Sequence, residues 1–91
     1  MNWNYEPQRV FVEDEGGLLL AEITFPEGPE GIFVINHTFV DSSLRGQGMA
    51  GKLMEAALRQ IREAGGRIKP TCAYAVSWFE KHPDQVDILS E

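Results

Sequence analysis

Eight consecutive residues, Arg45-Gly46-Gln47-Gly48-Met49-Ala50-Gly51-Lys52, combine glycine, alanine and positive charge at the point where a helical pattern begins. The three glycines and the alanine leave the backbone uncovered. The first N–H groups of a helix have no partner within it, and the helix dipole favours negative charge at that end. Small side chains let a phosphate approach those N–H groups closely, and Arg45 and Lys52 add positive charge nearby. The chemistry this calls for is binding of a phosphate or pyrophosphate. The plain alternative is a glycine-rich loop that only starts a helix. Two common phosphate motifs fit poorly. A P-loop needs Ser or Thr after Gly-Lys, and here Gly51-Lys52 is followed by Leu53. The dinucleotide fingerprint needs wider glycine spacing within a parallel βαβ unit.

Three other residues are candidates for chemistry. Cys72 stands just before a predicted helix, where the dipole lowers a thiol's pKa and favours the thiolate. That suits a nucleophile, a residue lining a channel, or an inert small hydrophobe. His37 falls in a predicted strand. There a neutral imidazole could accept a proton, or simply sit in the sheet with its hydrogen bonds satisfied. His82 is expected at a helix C-terminus, a structural position for a cation. With one cysteine and two histidines, neither an internal disulfide nor a structural metal site is expected.

The elements that must hold these residues follow from periodicity. Gln8–Val12 reads as a short strand, with Trp3 and Tyr5 before it as caps on the core. Glu13-Asp14-Glu15-Gly16-Gly17 reads as a solvated turn. Residues 17–25 alternate, with Leu19, Ala21, Ile23 and Phe25 as the core face. After Pro26–Gly31 breaks the chain, Ile32–Val40 reads as a single third strand. The period then changes to that of a helix. Met49, Ala50, Leu53, Met54, Ala57, Leu58 and Ile61 form one apolar stripe, and Gly65-Gly66 ends it. Arg67–Cys72 reads as a strand with Pro70 at its end or at a bulge. Ala73–Lys81 reads as a helix with Val76, Phe79 and Ala75 inward, ended by His82-Pro83. Val86–Leu89 is left extended or irregular, and Trp78 is open between the core and a substrate pocket. The expected class is α/β (α+β layered): a three-stranded antiparallel meander, then helix, strand and helix.

Ninety-one residues suit one domain, residues 1–91, with a modest core. No apolar run is long enough to span a bilayer, and the N-terminus lacks the pattern of a signal peptide. A cytoplasmic protein that does not bind membranes is expected. The net charge of −6 argues against nucleic acid as a partner. Residues 1–41 carry one basic residue, Arg9, against eight acidic ones, while residues 42–91 carry seven basic against six acidic. Such asymmetry could serve an anionic cofactor on one side and a cationic substrate on the other. It is equally what a solvated surface needs.

The loop resembles motif A of the GNAT superfamily of N-acetyltransferases, Gln/Arg-x-x-Gly-x-Gly/Ala, with Arg45, Gly48 and Ala50 at the three fixed positions. Val40–Ala50, Pro70-Thr71-Cys72-Ala73-Tyr74 and Lys81-His82-Pro83 together resemble the very small GNAT subfamily, and the likeness runs roughly from Arg9 to Leu89. It implies the compact GNAT fold and acetyl-CoA as cofactor, held by Val40 and the residues from Arg45 to Lys52. It also implies an amine acceptor, small molecule or protein lysine, of a kind it does not specify. It further implies a cysteine, Cys72, near the acyl thioester, and makes Tyr74 a candidate proton donor to the departing CoA thiolate, the alternative being an ordinary half-buried tyrosine. In this fold the third strand adjoins the acyl site, which favours His37 as the base. Two rival readings remain. One is an acyl-CoA-binding module without catalysis, and the other is an acyl carrier that depends on Cys72.

Overall fold

Val10 and Val12 are fully buried, as are Ala21 and Ile23, the period-2 pattern of sheet strands with one covered face. They lie in β2 (Arg9–Glu13) and β3 (Leu19–Thr24), which pair antiparallel. The computed structural model describes residues 1–90. It adds β1 (Asn2–Glu6) outside β2 and β5 (His37–Val40) outside β3, giving a four-stranded antiparallel sheet in the order β1-β2-β3-β5. The meander thus has four strands, not three. Trp3 and Tyr5 belong to its first strand; Trp3 packs against the core, whereas Tyr5 is largely exposed. Trp3 and Tyr5 favour a strand, but Asn2, Asn4 and Glu6 between and beside them do not, so β1 has no clear strand signal of its own. It is a strand because the turn at Pro7-Gln8 folds it back on β2, with Glu6 opposite Arg9.

The segment expected to be one strand is two. β4 (Ile32–Ile35) pairs in parallel with β6 (Arg67–Pro70), while β5 pairs with β3. The break is at Asn36, whose N–H reaches the Thr24 carbonyl, while the Ile35 carbonyl accepts from the N–H groups of both Thr71 and Cys72. Beyond Ile35 the backbone therefore leaves β6 and joins the other sheet. This opens a wedge between β5 and the segment that follows β6. Period-2 patterning reports which side chains are buried, not which neighbour a strand bonds to, so this splay leaves no mark in the sequence.

The α1 helix (Met49–Glu63) covers one face of the sheet and buries Met49, Leu53, Met54, Ala56, Ala57, Leu58 and Ile61. It stops at Gly65, where φ is +73°, the left-handed end that glycine adopts without steric cost. Gly66 must stay bare for a different reason. A Cβ there would lie 2.5 Å from the Phe33 ring. In β3 the core face begins at Leu20 rather than Leu19, because a bulge at Val12/Glu13 shifts the register.

The second helix, α2 (Ala73–Lys81), turns Ala75, Trp78 and Phe79 inward, a spacing of three and four residues. Val76, expected to face the core, is 41% exposed, and Trp78 takes that place at 7%. His82 stacks on Trp78 with ring centroids 3.8 Å apart, and its Nδ1 lies 2.7 Å from the Trp78 carbonyl, a structural role. Of the segment expected to be extended or irregular, Val86–Ile88 belongs to a 3-10 turn over residues 83–88, and Leu89 bridges to Ile68. No described helix is long and apolar enough to cross a membrane.

Candidate functional site

The end of β5 and the start of α1 are joined by a short 3-10 turn, Ser42–Leu44, and a glycine loop. Asp41 fixes the turn. Its carboxylate accepts from the Ser43 N–H at 3.0 Å and from the Ser43 hydroxyl at 2.6 Å. Those two bonds, helped by Arg45, hold its carboxyl below the usual range. The loop itself depends on Gly46 (φ +81°) and Gly48 (φ +72°). Both take the left-handed conformation that L side chains rarely adopt. A Cβ at either would project into open space, so the backbone there can be approached closely from outside.

The N–H groups from Gly46 to Gly51 donate to no acceptor among the described residues, and the first backbone bond of the helix runs from the Lys52 N–H to the Gly48 carbonyl. These donors border a cavity of about 220 Å³ lined by Val40, Leu44, Arg45, Gly46, Gly48, Met49, Ala50, Gly51 and Tyr74. A helix start with bare N–H groups, left-handed glycines and an arginine is a built anion cradle. Those residues fit a pyrophosphate group. Larger hollows lie elsewhere, one between Arg62, Gly66 and Asp87 and another between Glu55, Trp78 and His82, and neither is bordered by a run of unpartnered backbone N–H groups.

Seven of the nine residues expected to hold the cofactor line this cavity; Gln47 and Lys52 do not. Gln47 is exposed and its amide turns back to the Ser43 carbonyl, and Lys52 is exposed in the first turn of α1. Leu44 lines the cavity and had no signal in the sequence, because a lone leucine before a glycine loop reads as a helix preface.

Tyr74 reaches the cavity from α2. Its hydroxyl oxygen lies 4.0 Å from where a Gly51 Cβ would stand. Burial pushes the hydroxyl's pKa above the usual tyrosine range, with Cys72 and Glu55 adding to the effect. Cys72 is half-buried as the cap residue of α2 and packs against the core, with its carbonyl accepting from the Val76 N–H. Both helices therefore start at the same end of the sheet, on either side of the wedge.

The wall of the wedge on the β5 side presents backbone. The Asp41 N–H bonds to the Leu20 carbonyl at 2.7 Å. In an antiparallel ladder the bonded residues recur at every second position. Phe39 and His37 therefore turn their backbone groups toward β3, and Thr38 and Val40 turn theirs into the wedge.

Of the three residues expected to act in catalysis, only Tyr74 lines the cavity; Cys72 lies near Tyr74 but outside the lining, and His37 stands apart. It begins β5, three residues and about 10 Å from Val40. It shares the outer sheet face with Thr24, its cross-strand partner, whereas Val40 shares the α1-covered face with buried Ala21. Its Nε2 lies 3.2 Å from Glu22 Oε1, and Glu22 is also held by Arg9. The alternation of β3 put Glu22 on the outer face, but nothing in the sequence paired it with His37.

Comparison with known proteins adds the lineage. A family model for GCN5-related N-acetyl-transferases matches residues 9–88. A Staphylococcus aureus protein described as GCN5-like, solved by NMR, is 28% identical with a TM-score of 0.80, over 98% of this chain and 87% of that one. A GNAT family acetyltransferase from Brucella melitensis in complex with acetyl-CoA is 24% identical with a TM-score of 0.59. The match covers 77% of this chain and 50% of that one, and at that identity it speaks for the fold alone. A GNAT family acetyltransferase of Staphylococcus aureus Mu50 has a TM-score of 0.67 at 14% identity, over 84% of this chain and 51% of that one. The chain thus spans about half the length of these larger acetyltransferases. No curated protein matches it.

Proposed function

The chain belongs to the GCN5-related N-acetyltransferase family, and from that premise we propose that it transfers an acetyl group from acetyl-CoA to an amine. The observation that carries this reading is the cavity where unpartnered N–H groups, Arg45, the Val40 edge of β5 and the Tyr74 hydroxyl meet. In this reading the N–H groups of Gly46 to Gly51 hold the pyrophosphate, and Arg45 and Lys52 add charge beside them. Bound acetyl-CoA supplies an acyl thioester activated for attack by a free amine. Outward N–H groups of Thr38 and Val40 align the acyl arm along β5 and polarise its carbonyl. Tyr74, still protonated at neutral pH, donates its proton to the departing thiolate. His37 receives the proton of the ammonium directly or through water. Because it lies on the outer face, an amine it serves arrives from the side away from α1. Orientation and exclusion of water supply most of the rate gain.

Cys72 is not needed for direct transfer. We expect Cys72→Ala to keep its transferase activity, and the intact mass of the wild type to show no lasting acetyl adduct after mixing with acetyl-CoA. The check is release of CoA thiol from acetyl-CoA against a panel of small amines, a polyamine and a lysine peptide. An inactive Cys72→Ala with an acetylated Cys72 in the wild type would favour an acyl carrier or a covalent route. A second reading is an acyl-CoA-binding module, favoured by the position of His37 on the outer sheet face, apart from the cradle and held by Glu22. Saturable binding with no amine-dependent CoA release would favour that reading.

A further inference from the structure

The sheet ends at β1, and its free edge is unusually open. The Phe25 N–H bonds to the Gln8 carbonyl at 2.9 Å, which sets the alternation of β2. Gln8, Val10 and Val12 turn their backbone groups to β3, so Arg9, Phe11 and Glu13 turn theirs to β1. Their partners in register are Glu6, Asn4 and Asn2. Trp3 and Tyr5 therefore point their N–H and C=O groups outward, and no described residue meets any of the four. Natural edge strands are guarded by lysine, proline, a bulge or a covering element. β1 has no lysine or proline, and its register with β2 is unbroken. Its one charge, Glu6, is at its end and lies 3.7 Å from Arg9 Nη1. Met1 and Tyr5 are each 59% exposed, and the Trp3 and Tyr5 rings stack 6.2 Å apart.

We propose that β1 pairs with β1 of a second copy of this chain, antiparallel about a two-fold axis through Asn4. The strand is self-complementary in that register, as an interface between identical surfaces must be. Trp3 falls opposite the copy's Tyr5, and both are outward-facing residues. The two such pairs exchange N–H···O=C bonds and satisfy all the outward groups on both strands. Asn4 meets its own copy at a position without backbone bonds. Asn2 faces the copy's Glu6, so no like charges oppose each other. On the α1 side, Trp3 and Tyr5 from both copies form one aromatic row, a stabilising cross-strand arrangement. The result is a continuous eight-stranded sheet. Since β1 and β5 are opposite edges, both wedges stay open. The −6 charge of each copy opposes association, so added salt strengthens it.

Sedimentation equilibrium from roughly 1 µM to 1 mM, a span that covers weak to moderate affinities, tests this on the whole chain. The wild type should pass from monomer to dimer mass within that range. Tyr5→Pro removes an outward N–H that β2 does not use, a place where an edge strand tolerates proline. It should keep the wild-type circular dichroism and stay monomeric throughout. Asn4→Lys sets like charges against each other on the axis and should also stay monomeric, which covers the case of a proline variant that fails to fold. A wild type that is monomeric at every concentration would overturn the proposal, as would folded variants that dimerise like the wild type.

Discussion

Gly48→Val should abolish acetyl-CoA binding while the protein remains folded. Gly48 caps α1 at φ +72°, a conformation that costs a residue with a Cβ about 1–2 kcal/mol and a β-branched one more. The added side chain would also project into the open space before the unpartnered N–H groups, where the pyrophosphate is held. Isothermal titration should show at least about a hundredfold loss of affinity, about 2.8 kcal/mol at 1.4 kcal/mol per tenfold. The melting temperature should fall by roughly 4–16 °C, since 1 kcal/mol shifts a domain of this size by about 4–8 °C. Gly65→Val is the control. It carries the same strain, at φ +73°, but at the far end of α1, so it should lose stability and keep binding. Equal loss of binding in both variants would mean that destabilisation, not the cradle, explains the effect.

Replacing the Tyr74 hydroxyl should cost the most in turnover. A positioned proton donor contributes roughly 10²–10⁴-fold, so Tyr74→Phe should lower kcat within that range. The KM for acetyl-CoA should change little, because the ring stays in place. The acid form is the competent one, and burial raises its pKa above the usual tyrosine range. Wild-type turnover should therefore be present through neutral and mildly alkaline pH and be lost only as pH rises through that raised value. The variant should lack this alkaline limb. Unchanged kcat in Tyr74→Phe would leave the thiolate to be protonated by water or by another group.

The cofactor loop and α1 are legible in the sequence because each depends on local rules. Glycine at Gly46 and Gly48 follows from backbone sterics, and the stripe from Met49 to Ile61 follows from the turn of a helix. The splay at Asn36 is not legible. It exists because β4 bonds to β6, more than thirty residues away, while β5 bonds to β3. The likeness of Val40–Ala50 and Pro70–Tyr74 to a known family supplied the pairing of loop and cysteine segment that periodicity could not. Val76 is exposed and Trp78, open between core and pocket in the sequence, is buried, because α2 has apolar residues on more than one face and only packing decides which is covered. Alternation alone places Glu22 on the face opposite Ala21 and Ile23 but gives it no partner, since its meeting with His37 depends on the register of β3 against β5.

The central claim, that the Gly46–Gly51 backbone binds the pyrophosphate of an acyl-CoA, is tested most directly by amide NMR of the labelled protein titrated with acetyl-CoA. Saturable shifts should be largest at the N–H groups of Gly46, Gly48 and Gly51, with smaller ones at Thr38 and Val40. If those amides do not move at millimolar ligand, or the largest shifts fall elsewhere, the account is contradicted and the loop is only the start of a helix.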